Sequence, residues 1–203
     1  MQVKTKLLGM AVLLHMFTYF GSRILASDMY HFDMTTPIDR RIGLVPWTIV
    51  IYMGCYIFWG INYYLGYMQE DREAEAFFLS EIIAKLICLF FYLVIPTTCI
   101  RPAVTEPGVF ESAVRWLYKV DAPDNLFPSI HCLTSWLCVV AVRNQERIPA
   151  WYKKVSVFLA VLICISTLTT KQHVIVDVAA GVLCAEISFR IANRAHKKNT
   201  YTK

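Results

Sequence analysis

Six stretches of the chain are predominantly apolar, and more polar connections separate them, the longest at residues 27–41 and 101–127. The second is the purest, because residues 42–69 contain no charged side chain. A helix needs roughly 20 mostly apolar residues to cross the hydrocarbon core of a bilayer, and this stretch is longer than that. The pattern therefore predicts membrane-spanning helices. We expect six of them, over residues 7–26, 42–69, 76–100, 129–142, 155–170 and 174–191.

The composition agrees with a membrane protein. Apolar residues make up 57% of the chain and charged residues 17%, whereas a soluble domain carries about 25% charged residues. Six spans use up most of the 203 residues. We therefore expect a single domain over residues 1–203, of the all-α class, built as an integral bundle of six transmembrane helices. The short fourth and sixth stretches also fit helices buried in a protein core.

The distribution of charge predicts an orientation. An even number of spans places both termini on one side of the membrane, and most Lys and Arg residues fall on that side. Positive residues favour the cytoplasm, so we expect cytoplasmic termini in a multi-pass protein of the plasma membrane. The same bias accounts for the net charge of +5, and no nucleic-acid partner is expected.

The few polar residues at the ends of the apolar stretches are the candidates for chemistry. They end the third and fifth spans and begin the fourth and sixth, so six spans would bring them together at the outward face. They are Arg101, Ser129, His131, Ser166, Lys171, His173 and Asp177. Ionisable groups at such positions are costly and tend to be functional.

The types and spacing of these residues suit attack on a phosphate. His173 and Asp177 are four residues apart, which puts them in contact on one helix face. A carboxylate fixes the orientation of an imidazole and leaves its other nitrogen free to attack. A His–Asp pair with a purely structural role can have the same four-residue spacing, so this alternative stays open. Ser129 begins a helix, where unpaired N–H groups bind anions, and His131 could protonate a leaving oxygen. Arg101 suits phosphate oxygens but could equally be a solvated interfacial cation.

Two other features of the spans have simpler interpretations. Glu81 and Lys85 are four residues apart within the third span, and we expect them to neutralise each other. The second span is rich in aromatic residues, which we expect to face lipid and the membrane interface. These aromatic residues are Tyr52, Tyr56, Trp59, Tyr63, Tyr64 and Tyr67.

The order of the polar motifs resembles the type 2 phosphatidic acid phosphatase family. The family pattern runs Lys-x6-Arg-Pro, Pro-Ser-Gly-His and Ser-Arg-x5-His-x3-Asp. The matching segments lie between residues 101 and 183: Arg101-Pro102, then Pro128-Ser129-Ile130-His131, then Ser166 with His173 and Asp177. The resemblance implies that His173 is a nucleophile forming a phosphohistidine, that Asp177 orients it and that His131 protonates the leaving group. It also implies that Arg101, Ser129, Ser166 and Lys171 bind the phosphate oxygens, without metal or cofactor.

The chain departs from the family pattern at three positions. Val94 and Thr167 stand where the family has cationic residues, and Ile130 replaces glycine; Lys171 is the candidate to restore one charge. Two segments resemble the motifs of a divergent branch of the family, which includes phosphoinositol-ceramide-type phosphotransferases. These segments are Phe127-Pro-Ser-Ile-His and Thr170-Lys-Gln-His.

The expected function is hydrolysis of a lipid phosphate or pyrophosphate, such as an isoprenoid carrier pyrophosphate or a phosphatidate-like lipid. The expected partners are that substrate and the membrane lipids, and the oligomeric state is open. Two alternatives are a transferase of lipid head groups and a non-catalytic lipid-binding or transport protein.

Overall fold

The structure is a computed structural model that describes residues 2–200, with side chains for residues 3–195. Most of this part of the chain is helical, as the sequence predicts. The helices are α1 (Gln2–Met16), α2 (Ser22–Leu25), α3 (Pro37–Arg41), α4 (Ile49–Tyr67), α5 (Asp71–Val94), α6 (Val109–Val120), α7 (Ile130–Arg143), α8 (Ala150–Thr169) and α9 (Ile175–Thr200). A π-helical turn at Phe17–Gly21 joins α1 to α2, and a 3-10 turn at Pro46–Thr48 leads into α4.

One small element departs from the all-α expectation. Strand β1 (Phe32–Asp33) pairs in parallel with strand β2 (Thr97–Thr98). The pair ties the connection after α2 to the end of α5. The Thr97 hydroxyl also accepts hydrogen bonds from the N–H groups of Leu126 and Phe127, both at 2.9 Å, which fixes the loop that precedes α7.

Four helical stretches in the described residues are long and apolar enough to cross a membrane. They are Val3–Leu25, Pro46–Tyr67, Asp71–Val94 and Ala150–Thr169. The structure thus supports the prediction of a membrane protein, but the count of six spans is not confirmed. Helix α7 has 14 residues, or about 21 Å at 1.5 Å per residue, which is shorter than a hydrocarbon core. Helix α9 has 26 residues but is not among the four apolar stretches.

Helix α7 lies at the centre of the bundle. Every residue from Ile130 to Val142 except Trp136 is buried, and α4, α5, α8 and α9 pack around it. A helix that is apolar on all sides belongs in an interior. Because α7 carries the Pro-Ser-Ile-His motif at its start, the bundle holds that motif rigidly.

The predicted pairing of Glu81 with Lys85 is confirmed. The Lys85 Nζ lies 3.2 Å from the Glu81 carboxylate and donates a 2.8 Å hydrogen bond to the Thr134 hydroxyl of α7. Lys85 is fully buried. A buried charge is tolerated when it is paired and hydrogen-bonded, and this pair joins α5 to α7.

Helix α9 approaches the start of α7 at Gly181. A Cβ atom at this position would lie 2.5 Å from the Ser129 carbonyl oxygen and 3.2 Å from the Leu133 nitrogen. The Ser129 N–H also donates a 3.0 Å hydrogen bond to the Asp177 carbonyl. The two helices therefore meet backbone to backbone at this point, with no room for a side chain.

We expect Gly181→Ala to destabilise the protein by about 1–3 kcal/mol, as overpacking typically does. The added methyl group meets backbone atoms, which cannot swing away as a side chain can. The measurement is the thermal unfolding temperature in detergent. Gly54→Ala in α4 is the matched control, because a Cβ there has no atom within 4 Å and alanine favours a helix. An unchanged unfolding temperature for Gly181→Ala would contradict the close approach.

Candidate active site

His173 follows a tight turn at the end of α8. The N–H of Lys171 bonds to the Leu168 carbonyl at 3.2 Å, and that of Gln172 bonds to the Thr167 carbonyl at 2.9 Å. This is the Schellman arrangement that ends many helices. Lys171 has φ of 58°, where glycine is usual, at a cost of roughly 1–2 kcal/mol for a side-chain-bearing residue. The turn brings His173 directly to the start of α9.

Asp177 fixes the orientation of the His173 ring. The His173 Nδ1 lies 3.3 Å from Asp177 Oδ2, and the same oxygen accepts a 3.0 Å hydrogen bond from the Val174 N–H. Asp177 is only 1% exposed. Because Nδ1 faces the carboxylate, Nε2 is the ring nitrogen left for a substrate.

His131 lies in the first turn of α7, opposite His173. The Ser129 hydroxyl caps this helix by accepting a 3.3 Å hydrogen bond from the Cys132 N–H. The centroids of the two imidazole rings are 6.1 Å apart, and both residues are buried. The two histidines that the sequence assigns to different helices are thus brought together.

An aromatic wall from α4 holds the His131 ring. The Tyr52 ring stacks on it at 4.6 Å with an interplanar angle of 28°, and the Trp59 ring lies at 5.4 Å. The expectation that Tyr52 faces lipid is wrong, because its side chain is 1% exposed. Tyr56 and Tyr64 are exposed. The reason is that α4 packs on α7, so one face of α4 turns inward.

A small cavity of about 30 Å³ has both histidines in its wall. That volume holds one or two water molecules. Beside His131 and His173, its wall includes Tyr19, Arg23, Asp121, Asp124, Asn125 and Gln172.

Three polar atoms of the wall have no hydrogen-bond partner within residues 3–195. They are His131 Nε2, Gln172 Nε2 and Asn125 Oδ1. Unpaired buried polar groups are costly and rare. Their gathering around one cavity indicates a place for a polar ligand.

A second cavity, of about 380 Å³, lies on another side of His173. Lys171, Arg40 and Thr35 contribute to its wall. His173 therefore borders two cavities, and only the smaller one also includes His131 in its wall.

The structure places both predicted phosphate-binding cations beside the site, where they are bonded to protein groups. Arg101 donates to the Asp121 carbonyl and, at 2.6 Å, to the Gln172 side-chain oxygen, and its guanidinium lies 4.9 Å from the centre of the Tyr118 ring. The Lys171 Nζ donates to the carbonyls of Asp39, at 3.1 Å, and Ile42. Arg101 is thus linked to the smaller cavity through Asp121 and Gln172, which both belong to its wall.

The two predicted serine ligands are buried. Ser129 acts as the helix cap described above, and the Ser166 hydroxyl donates a 2.7 Å hydrogen bond to the Ile163 carbonyl of its own helix. Neither serine contributes to the wall of the two cavities beside His173. Their role as phosphate ligands stays a prediction.

Sequence reasoning missed Asp39, which supports the site from α3. Its carboxylate accepts hydrogen bonds from the Ile175 N–H at 2.7 Å and the Thr36 N–H at 2.8 Å. Burial raises the pKa of Asp39, but the hydrogen bonds from Thr36 and Ile175 outweigh it and lower the pKa below its ordinary value. The capping box from Thr36 to Asp39 could have been recognised in the sequence. The contact of Asp39 with the start of α9 could not, because it depends on how the helices pack.

Comparison with known proteins connects this geometry to a family. A family model described as the PAP2 superfamily matches residues 24–191, which include both histidines and Asp177. An uncharacterized protein of Methanocaldococcus jannaschii is 30% identical over 143 residues, which cover 68% of this chain and 56% of that relative. The chain thus spans little more than half the length of this curated relative. No solved structure matches the chain. The family match covers most of the chain, and the protein therefore belongs to the PAP2 superfamily, whose members are in general phosphatases.

Proposed function

We propose that the chain is an integral membrane phosphatase that hydrolyses a lipid phosphomonoester or pyrophosphate without a metal. The single observation that carries this proposal is the pair of buried imidazoles, 6.1 Å apart, in the wall of one cavity with unpaired polar atoms. We further propose that residues 1–203 act as one catalytic domain, since the motif residues come from α7, the α8–α9 connection and α9.

In the first step, the His173 Nε2 attacks the phosphorus atom. A P–N bond forms and the P–O bond to the leaving alcohol or phosphate breaks, while His131 gives its proton to the departing oxygen. Asp177 accepts a hydrogen bond from Nδ1 and stabilises the positive charge on the phosphorylated ring. The buried Asp177 contact at 3.3 Å supports this role.

In the second step, a water molecule attacks the phosphohistidine. His131, now neutral, takes a proton from the water as the new P–O bond forms and the P–N bond breaks. Inorganic phosphate leaves and both rings return to their starting forms. Phosphoryl transfer depends mainly on positioning and on stabilisation of charge, and the packed aromatic wall around His131 supports positioning.

A further cavity supports a lipid as the substrate. It has a volume of about 380 Å³, and its wall is formed by mostly apolar and aromatic residues of α1, α4, α5 and α7, together with His15, Glu81 and Thr134. Trp59 and Thr134 belong to this wall; Trp59 also contacts His131, and Thr134 is three residues along α7 from it. A hydrocarbon chain in this cavity would have its head group near the two histidines.

We propose that the chain crosses the plasma membrane six times, with cytoplasmic termini and an outward-facing site. The excess of Lys and Arg on the side of the termini supports this orientation. The enclosure of α7 by other helices supports the count of six spans. A helix that is shielded from lipid can be one of the six although it is shorter than the thickness of the bilayer.

The test is a phosphate-release screen with the purified protein over isoprenoid pyrophosphates, phosphatidate and phosphatidylglycerophosphate, with a chelator present. We expect release of inorganic phosphate from at least one lipid. Labelled lipid product without free phosphate would indicate a transferase. A folded protein that turns over none of the substrates would indicate a non-catalytic lipid-binding protein.

A separate experiment tests the orientation in intact cells. The substrate is p-nitrophenyl phosphate, which does not cross membranes, so an outward-facing site is expected to hydrolyse it without permeabilisation. Turnover only after permeabilisation would overturn the outward orientation.

A further inference from the structure

The cavity bordered by His131 and His173 has one cationic side chain in its wall, among the described residues: that of Arg23. A phosphate ester carries up to two negative charges, and its transfer spreads charge over three oxygens. The two family positions that would supply cations hold Val94 and Thr167. A site that works on phosphate therefore needs positive charge from another part of the chain.

The other cations near the site are bonded to protein groups, and of their side-chain nitrogens the buried Arg101 Nε has no hydrogen-bond partner within residues 3–195. Arg101 is bonded to the Asp121 carbonyl and to Gln172, and neither Arg101 nor Lys171 is in the wall of this cavity. Lys171 is bonded to two carbonyls and borders the larger cavity instead. Arg23 is the arginine that shares the wall of this cavity with both histidines.

A π-helical turn precedes Arg23. Phe17–Gly21 forms this turn between α1 and α2, and π-helical turns within helices often occur at functional sites. The wider turn changes the direction in which the following residues point. Polar side chains within and just after this turn contact the loop before α7.

Three side-chain contacts join this end of the first span to that loop. The Tyr19 hydroxyl donates a 2.7 Å hydrogen bond to Asp121, and the Asn125 amide donates a 3.1 Å hydrogen bond to the Ser22 hydroxyl. The Arg23 Nε lies 3.1 Å from Asp124 Oδ1. Arg23 is thus held at the cavity by its neighbours as well as by its own ion pair.

The ion pair of Arg23 can be exchanged. The side chains of Arg23 and Asp124 are 24% and 28% exposed, so both can move without opening the core. Burial raises the pKa of Asp124, and Arg23 opposes that rise. A cavity of about 30 Å³ is too small for a phosphate group, so binding requires side chains of the wall to move aside.

We propose that Arg23 is a phosphate ligand of this site and supplies charge that the family motifs lack in this chain. In the free protein the Arg23 guanidinium lies 3.1 Å from Asp124 Oδ1 and 3.9 Å from Asp121 Oδ1, and substrate phosphate replaces the nearer carboxylate, that of Asp124. A guanidinium suits this exchange because its planar fork binds carboxylate and phosphate in the same bidentate way. This inference rests on the proposed function.

The test measures binding of orthovanadate, a phosphate analogue, by its protection of the purified protein against thermal unfolding. We expect Arg23→Gln to weaken vanadate binding at least about 10-fold, the effect of losing one charge-assisted hydrogen bond, and Arg23→Lys to weaken it less. Asp124→Asn is expected to tighten binding, since it removes the competing carboxylate. Arg115→Gln is the matched control, because Arg115 is bonded to the Val104 and Glu106 carbonyls.

The direction of the Asp124→Asn effect separates ligand binding from a structural role. If the ion pair only supported the fold, Asp124→Asn and Arg23→Gln would weaken binding alike, and that result would overturn the proposal. Wild-type affinity in Arg23→Gln would overturn it as well, while leaving the phosphatase proposal intact. A wild-type protein that neither binds vanadate nor releases phosphate would refute both.

Discussion

His173→Gln is expected to lower kcat for phosphate release by about 10⁴-fold or more, the scale seen when a nucleophile that works as part of a unit is removed. Glutamine has a similar size and keeps a hydrogen bond within reach of Asp177, so the packing at the start of α9 is retained. The nucleophilic nitrogen is lost. The measurement is release of inorganic phosphate from a lipid phosphate in detergent micelles.

A second readout belongs to the same variant. Wild-type protein mixed rapidly with labelled substrate is expected to carry acid-labile phosphate, and His173→Gln is expected to carry none. His31→Gln is the control, because His31 lies in the loop before β1 and its ring contacts the Met29 carbonyl. Turnover near the wild-type level in His173→Gln would refute the assignment of His173 as the nucleophile.

His131→Gln is expected to lower kcat by about 10²–10⁴-fold, the usual contribution of general acid–base catalysis. The loss should depend on the leaving group. A lipid alcohol leaves poorly without a proton, whereas p-nitrophenolate leaves readily as an anion. We therefore expect a large loss with phosphatidate and a much smaller loss in formation of the phosphoenzyme from p-nitrophenyl phosphate.

The comparison of the two substrates distinguishes chemistry from packing. His131 stacks on Tyr52, so its replacement also alters a packed contact. A purely structural defect would reduce both reactions by the same factor, and that outcome would remove the role of His131 as the acid. Tyr52→Phe, which keeps the stacked ring, is the matched control for the wall itself.

Much of the fold was predictable because burial in a bilayer imposes a simple rule on composition. Long stretches of high hydropathy identify Pro46–Tyr67 and Asp71–Val94 as candidate spans. The same rule is weaker for α7, since a helix buried among other helices needs neither the length nor the apolarity that lipid demands. The paired strands Phe32–Asp33 and Thr97–Thr98 were not predictable, because two-residue strands carry no periodic pattern.

The four-residue spacing of the sequence predicted that His173 and Asp177 would meet, and they do. His173 precedes α9 by two residues, however, so the turn after α8 sets this contact and not the geometry of a single helix. The sequence by itself determined which polar groups lie at the ends of apolar segments. Only the tertiary structure decided which of those groups meet. The approach of α9 to α7 at Gly181 holds the backbone of the Pro-Ser-Ile-His motif against Asp177, and so brings His131 to His173.

The tertiary structure likewise decided the partners of each cation. Arg101 and Lys171 were predicted from motif position, yet backbone carbonyls and Gln172 bind them. Arg23 lies about a hundred positions away in sequence from Asp124, and only packing brings it to the cavity. The physical reason is that local spacing fixes contacts within one helix, whereas contacts between helices depend on which faces bury the most apolar surface and leave the fewest polar groups unpaired.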